Sequence, residues 1–180
     1  MSGGFTMGVE AAEARVLLLN IASRINSIGP VMQTIGEDIL ERTKHRFDTS
    51  TDPEGKPWKP NSASTLAMLS GRLAGVKSNV KKNGSLNAKG QRALASKKPL
   101  IGESQDLRRQ FTISVAGNVL TIGSTPLYAA IQQFGGRAGH GLAVTIPARP
   151  FLPVRPDGSI YPKDNALILQ ALNAHLAQKR

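Results

Sequence analysis

Apolar residues recur at helical spacing in three stretches of the chain and predict three long helices, over residues 9–27, 30–47 and 164–178. The first stretch is rich in alanine and leucine, two residues that favour helices strongly. The second follows a break at Gly29-Pro30, and the proline is tolerated because it falls in the first helical turn. Its apolar stripe has a four-residue spacing and comprises Val31, Ile35, Ile39 and, past Thr43, Phe47. We expect the first two helices to form an antiparallel pair or one kinked unit.

Alternating apolar residues predict a β-hairpin further along the chain. Phe111–Ala116 and residues 119–123 are its predicted strands, and Gly117-Asn118 supplies a tight turn between them. Residues 142–146 predict a third strand, and residues 126–134 predict a short helix before it. The apolar residues by which this helix is expected to pack on the sheet are Leu127, Ala130, Ile131 and Phe134. The sequence therefore predicts an α+β fold, a small antiparallel sheet packed by N-terminal and C-terminal helices.

The polar segment 48–60 has the composition of a series of turns. Asp52-Pro53-Glu54-Gly55 suits a β-turn, with proline at its second position and glycine at its fourth. Trp58, the only tryptophan, lies between two prolines and two lysines. A lone tryptophan in such a loop indicates an anchor that packs either onto its own domain or onto a partner.

Residues 61–98 lose the helical pattern after a brief stretch at 64–73 and become rich in glycine, serine, asparagine and lysine. Too few large apolar side chains remain to offset the entropy of ordering, so we expect a long flexible basic loop, with a mobile insertion at 74–98. The formal net charge of +11 is concentrated here, with eight basic and no acidic residues between Leu66 and Lys98. Such a block is typical either of a solvated arm or of a surface that faces a polyanion. The residues expected to face DNA or a partner are Lys77, Lys81, Lys82, Lys89, Arg92, Lys97 and Lys98.

The patterns that would indicate an enzyme do not occur in the sequence. The chain has no cysteine, its three histidines are far apart, and it has neither a P-loop nor a Gly-x-Ser-x-Gly motif. Its twelve acidic residues lie mostly on the predicted helices or in turns, not in a metal-binding cluster. We therefore expect no catalysis, cofactor or metal. The start of the chain lacks the features of a signal peptide, and no apolar run could span a bilayer, so we expect a soluble protein of a reducing cytoplasm without a membrane partner.

Four blocks of residues occur in an order that is similar to a known family. They are Phe47 with DPEGKPWKP (52–60) and Thr65, then Leu100-Ile101 with Leu107-Arg108-Arg109, then Tyr128-Ala129 with QFGG (133–136), and last IPARPFL (146–152). Together they resemble the phage virion morphogenesis family, which includes tail completion proteins of Mu-like and related phages, over roughly residues 30–178. Two positions depart from the family pattern. Gln132 stands where the family often has histidine, and Gln105-Asp106 stands where a glycine usually precedes Leu107, which leaves the local backbone open.

The resemblance implies a structural subunit, a single domain over residues 1–180, that acts in tail completion or head–tail joining. Related neck and completion proteins generally form rings around the DNA channel. The implied partners are further copies of the chain, other phage neck or tail proteins and double-stranded DNA in the lumen, with assembly in the host bacterial cytoplasm. The expected subunit-interface residues are Trp58, Phe134, Arg149, Phe151 and Leu152. Arg149 would pair with a neighbour's carboxylate, and the alternative for the two phenylalanines and Leu152 is that they fill the subunit's own core.

Two other functions remain open on the sequence. The basic loop could make the chain a sequence-nonspecific DNA-binding protein, whose affinity would fall steeply with salt. The chain could also be an assembly chaperone that is absent from the mature particle.

Overall fold

The computed structural model describes residues 12–177, which form seven α-helices, two 3-10 turns and four short strands. The helices are α1 (Ala12–Asn26), α2 (Gly29–Thr49), α3 (Ala63–Ala74), α4 (Ala88–Ala95), α5 (Asp106–Arg109), α6 (Ala129–Phe134) and α7 (Pro162–Ala177). The strands are β1 (Phe111–Ala116), β2 (Val119–Ser124), β3 (Gly136–Ala138) and β4 (Val144–Ile146). The α+β class is confirmed. The predicted first and last helices form, although residues 9–11 and 178 of those predictions lie outside the described residues.

The predicted hairpin is confirmed and carries α2 across its face. β1 and β2 are antiparallel, with Phe111 opposite Ser124 and Ala116 opposite Val119. The helix approaches the strands closely at Gly36, where a Cβ atom would lie 2.9 Å from Cδ1 of Leu120. A Cβ atom at this position would require the Leu120 side chain, and to a smaller extent that of Ile113, to move.

The third predicted strand forms, but it does not join the hairpin. β4 pairs with β3 in a separate two-stranded antiparallel sheet, with Gly136 opposite Ile146. The expectation of one small sheet is therefore wrong in this detail. The chain turns sharply from α6 into β3 at Gly135, where φ is +74° and a Cβ atom would lie 2.8 Å from the backbone nitrogen of Ala148. Only glycine fits this reversal, which brings β3 beside the chain leaving β4.

Helix α6 turns a different face inward from the one that its apolar residues predict. The buried residues are Ala129 and Gln133, whereas Leu127, just before the helix, is fully exposed and Phe134 is 42% exposed. The expectation that Leu127, Ala130 and Phe134 pack on the sheet is wrong. The inward face is instead set by the hydrogen bonds of the Gln133 amide, described below.

Residues 74–98 have regular local structure, in contrast to the structureless insertion that their composition predicts. A 3-10 turn over Lys77–Asn79 is followed by an isolated antiparallel bridge between Val80 and Leu86 and then by α4. The Asn87 side chain caps α4 by accepting hydrogen bonds from the backbone nitrogens of Lys89 and Gly90. Local side chain–backbone hydrogen bonds of this kind stabilise turns and helix ends without a large apolar core.

A buried ion pair joins α2 to α7. One guanidinium nitrogen of Arg46, Nη2, lies 2.7 Å from both carboxylate oxygens of Asp164, and Arg42 Nε donates to Oδ1 at 3.2 Å. The other terminal nitrogen of Arg46 donates to the backbone oxygen of Phe151 at 2.8 Å. Both partners are buried, and removal of one partner from a buried pair typically costs about 3–5 kcal/mol. Arg46 thus fixes α7 and the extended chain around Phe151 onto α2.

The departure from the family pattern at Gln105-Asp106 left the backbone conformation before the hairpin open. In the structure the backbone is left-handed at Gln105. This residue has φ of +56° and ψ of +30°, and its side chain makes no capping hydrogen bond to α5. The conformation is the one that glycine adopts at little cost. Gln105 thus adopts a backbone conformation that favours glycine, the residue usual at this point of the family pattern.

We predict that Gln105→Gly raises the free energy of unfolding by about 1 kcal/mol, because a residue with a Cβ atom loses about 1–2 kcal/mol in this region and glycine loses part of the gain to its unfolded-state entropy. Urea denaturation measures the change. Gln105→Ala is the matched control, since it shortens the side chain but retains Cβ, and it should leave stability within about 0.5 kcal/mol. An equal gain from alanine would show that the side chain, not the backbone, is the source.

Candidate assembly interface

Three aromatic side chains from distant parts of the sequence form the centre of the core. The ring centroids of Phe47 and Trp58 lie 5.3 Å apart in an edge-on arrangement, and those of Phe47 and Phe151 are also 5.3 Å apart. Phe47 and Phe151 have no exposed surface and Trp58 is 6% exposed. Leu107 and Ala129 complete the buried cluster. Full burial of such a side chain contributes about 1.5–3 kcal/mol each, so this cluster is a main source of stability.

The Gln133 side chain binds the extended segment that follows β4, residues 147–154. Its carbonyl oxygen accepts hydrogen bonds from the backbone nitrogens of Phe151 and Leu152, at 2.8 and 2.9 Å. Its amide nitrogen donates to the backbone oxygens of Leu152 and Val154, at 3.0 and 2.9 Å. The amide therefore replaces a neighbouring strand for a segment whose prolines cannot donate hydrogen bonds of their own.

Trp58 and Arg149 fasten the same segment to the loop after α2. Trp58 Nε1 donates to the backbone oxygen of Pro150 at 2.9 Å. Arg149 donates from Nε to the oxygen of Lys59 at 2.7 Å and from Nη2 to that of Pro60 at 2.8 Å. Burial lowers the pKa of the Arg149 guanidinium, but an arginine in a protein stays protonated. Its charge is thus met by backbone carbonyl dipoles of its own subunit.

Three of the expected interface residues, Trp58, Arg149 and Phe151, are buried within the subunit, and Nε and Nη2 of Arg149 already donate to backbone oxygens there. Their role against a neighbour stays a prediction. For Phe151 the alternative, a place in the subunit's own core, is the one observed. Leu152 is half-buried against that core. Phe134 is exposed, and its place at a subunit interface stays a prediction.

Five apolar side chains in and around α6, the second 3-10 turn and β4 are exposed, and among them only Phe134 is an interface residue that the sequence predicts. We call these residues the α6–β4 surface: Leu127, Tyr128, Phe134, Leu142 and Val144, each at least 42% exposed. Tyr128 and Val144 also line, with Met68 of α3, a cleft of about 460 Å³. The sequence shows that these residues are apolar, but it does not show that they are exposed. Their spacing gave no indication that Gln133 would lie on the buried face of α6.

The basic residues expected to face DNA or a partner divide into two sets. Lys77, Lys81, Lys82, Lys89 and Arg92 are exposed on the 3-10 turn, the following turn and α4. Lys89 and Arg92 are three residues apart, which places them on one side of the helix. Lys97 is half-buried, and the exposed Lys98 donates from Nζ to the backbone oxygen of Asp48. In residues 12–177 the ion pairs that form involve other cations.

The described part of the chain contains no group of three or more histidine, aspartate or glutamate side chains placed to hold a metal ion. Within the same residues, none of the helices is both long enough and apolar enough to cross a bilayer.

Comparison with known proteins identifies the class. The model of the phage virion morphogenesis family matches residues 9–177, and the chain belongs to this family. The family indicates a structural, virion-associated role in phage morphogenesis rather than a catalytic one. The chain is 42% identical over 72 residues to the Mu-like prophage FluMu G protein 2 of Haemophilus influenzae, an alignment that covers 40% of this chain and 47% of that protein. No solved structure matches the chain.

The sequence blocks that carry the resemblance meet in the core of the subunit. Phe47 and Trp58 of the first block, Gln133 of the third and Phe151 of the last are in direct contact through the rings and hydrogen bonds described above. These blocks therefore specify the subunit fold. Two residues of the third block, Tyr128 and Phe134, are instead exposed.

We predict that Gln133→Glu lowers the free energy of unfolding by roughly 2–4 kcal/mol near neutral pH, since a carboxylate cannot donate to the two carbonyl oxygens and leaves them unpaired. Burial and these oxygens should raise the pKa of the new carboxyl in the folded state, so the protonated form keeps one donor. The loss should therefore be smallest below the pKa of the unfolded chain and grow as the pH rises through the folded pKa.

Urea denaturation at about pH 4.5 and about pH 8 tests this prediction. Gln132→Glu is the matched control, because Gln132 is the adjacent half-buried residue and its side chain makes only a 3.5 Å contact with Arg149. It should cost less than about 1 kcal/mol. Equal losses in the two variants would contradict the role assigned to the Gln133 amide.

Proposed function

We propose that the chain is a structural subunit that acts in tail completion or head–tail joining and assembles into a ring around the DNA channel. Membership of the virion morphogenesis family and the name of the Mu-like prophage relative support the phage role. The observation that carries the assembly role is the α6–β4 surface, which leaves several large apolar side chains exposed on one subunit.

The α6–β4 surface has the character of a protein contact. Soluble monomers rarely expose a group of large apolar side chains together, and such groups mark interaction sites. The surface includes two aromatic side chains, Tyr128 and Phe134, a residue class enriched at interfaces. In a ring each subunit would use it against a different patch of its neighbour, the heterologous contact that closes by rotation.

The exposed cations of residues 77–92 fit a lumen that carries DNA. The sequence between Leu66 and Lys98 has no acidic residue, so no nearby carboxylate of this segment opposes their field. Repetition around a ring would multiply this positive charge at the channel wall, where the phosphates of the passing duplex would meet it.

We predict that the double variant Leu127→Asp/Val144→Asp stays folded but loses most of its assembly, because two charges would be buried in the contact. Light scattering after gel filtration gives the oligomer size, and circular dichroism reports the fold. Val76→Asp is the control, since Val76 lies outside this surface and is 49% exposed, close to the 53% of Val144, and its replacement should leave the oligomer unchanged. Mass spectrometry of purified particles then tests whether the chain is incorporated. A wild-type chain that is monomeric in every condition and absent from particles would overturn the proposal. A chain that forms oligomers but is absent from finished particles would indicate an assembly chaperone.

A DNA-binding protein without sequence preference is the second candidate, favoured by the five exposed cations. We predict that Lys81→Gln/Lys82→Gln/Lys89→Gln/Arg92→Gln reduces the slope of log affinity against log salt by up to about 3–4, because each phosphate contact contributes about 0.9. Fluorescence anisotropy with a labelled duplex measures it. Arg137→Gln/Lys163→Gln, at exposed cations outside this segment, is the control. Affinity that does not depend on salt would exclude this function.

A further inference from the structure

Helix α1 exposes apolar side chains around most of its circumference. Four successive residues, Val16 to Leu19, are 57–66% exposed, and Ile25 is 48% exposed. Successive residues of a helix are separated by about 100°, so these four positions point in nearly all directions. A helix that is apolar all round is typical of a buried helix, so a flat surface on one side would leave part of α1 in water.

Among the described residues, the hydrogen bonds that attach α1 to α7 lie near the end of α1. Arg24 donates from Nη1 to the backbone oxygen of Leu176 in α7, and the His175 ring lies 3.3 Å from the backbone oxygen of Arg24. The apolar turn at residues 16–19 precedes this attachment and is not covered by the described residues. The subunit therefore holds α1 in place by one end and leaves its apolar part open.

The same subunit carries an open apolar groove between α2, the hairpin and α7. Its walls include Met32, Ile35 and Ile39 of α2, Ile122 of β2, and Ile168 and Leu172 of α7. The groove has a volume of about 510 Å³, and none of the residues that line it is ionisable. Val119 and Ile160 also line it and are exposed, so apolar surface continues beyond its walls.

We propose that α1 of one copy lies in the α2–β2–α7 groove of the next copy. The match is one of polarity, since residues 16–23 of α1 contain no ionisable side chain and neither does the lining of the groove. A helix placed in a groove has its sides enclosed, which suits apolar residues on several faces better than a flat contact. This inference deepens the proposed function and rests on the self-association of the chain.

The arrangement has a consequence for assembly. Each copy would provide one helix and receive one, and donor and acceptor are different surfaces, so the contact is heterologous and continues from copy to copy until a ring closes. The α6–β4 surface would then be free to add to the same contact or to bind another virion protein.

Cross-linking between single-cysteine variants tests the placement directly, because the natural sequence has no cysteine. Leu18→Cys and Ile160→Cys chains with different affinity tags are mixed, treated with a short bis-maleimide and captured by one tag. We expect a cross-linked pair that carries both tags. The control mixture replaces Ile160→Cys with Val76→Cys, a comparably exposed site outside the groove, and should give at least tenfold less product.

The chain that carries both Leu18→Cys and Ile160→Cys distinguishes contact within a copy from contact between copies. Cross-links confined to single chains, with none between the mixed single variants, would show that α1 folds onto its own groove and would overturn the inference. Leu18→Asp gives an independent measurement. It should raise the protein concentration at which half of the chains are associated at least tenfold, whereas Val76→Asp should leave this concentration unchanged. A wild-type oligomer that neither cross-links in this way nor responds to Leu18→Asp would overturn the inference and leave the proposed function standing. A chain that never associates would overturn both.

Discussion

The fold depends on the hydrogen bonds and the ion pair of one buried cation, Arg46. Its guanidinium has to find partners inside the subunit, because a buried charge without them is strongly destabilising. It finds both carboxylate oxygens of Asp164 at 2.7 Å and the backbone oxygen of Phe151 at 2.8 Å. These partners lie on α7 and on the extended segment, so one side chain of α2 fixes the position of two elements more than a hundred residues away. The aromatic cluster lies beside this ion pair, since Phe151, whose backbone oxygen accepts from Arg46, supplies one of its rings.

A second constraint follows from the prolines of the extended segment. Pro147, Pro150 and Pro153 have no N–H group, so this chain cannot form a regular ladder with a neighbouring strand. The Gln133 amide and the Trp58 indole bind backbone groups of this segment. The Arg149 guanidinium, which belongs to the segment, binds the backbone of the loop after α2. Trp58, Gln133, Arg149 and Phe151 of the family blocks are therefore occupied inside the subunit, whereas Tyr128 and Phe134 of the same blocks are exposed.

The surfaces left for assembly are those that the subunit cannot bury by itself. The α6–β4 surface is exposed because Gln133 takes the inward face of α6, and α1 is exposed because only its end is attached to α7. Burial of both would come from association, which suits a subunit that has a small core and belongs to a virion morphogenesis family. The same hydrogen bonds that stabilise the monomer thus leave the apolar side chains of α6 exposed.

The sequence by itself determined the local structure: the helical stripe of α2 through Phe47, the hairpin around Gly117-Asn118 and the family, through the order of its blocks. Local signals were enough because helix periodicity and turn preference act over a few residues. Tertiary structure alone decided that Trp58 and Phe151 lie in the core, that β4 pairs with β3, and that Gln133 rather than Phe134 faces inward. Periodicity shows that a residue is apolar, but not which surface buries it. That choice depends on hydrogen-bond partners far apart in the chain, which come together only when the chain folds.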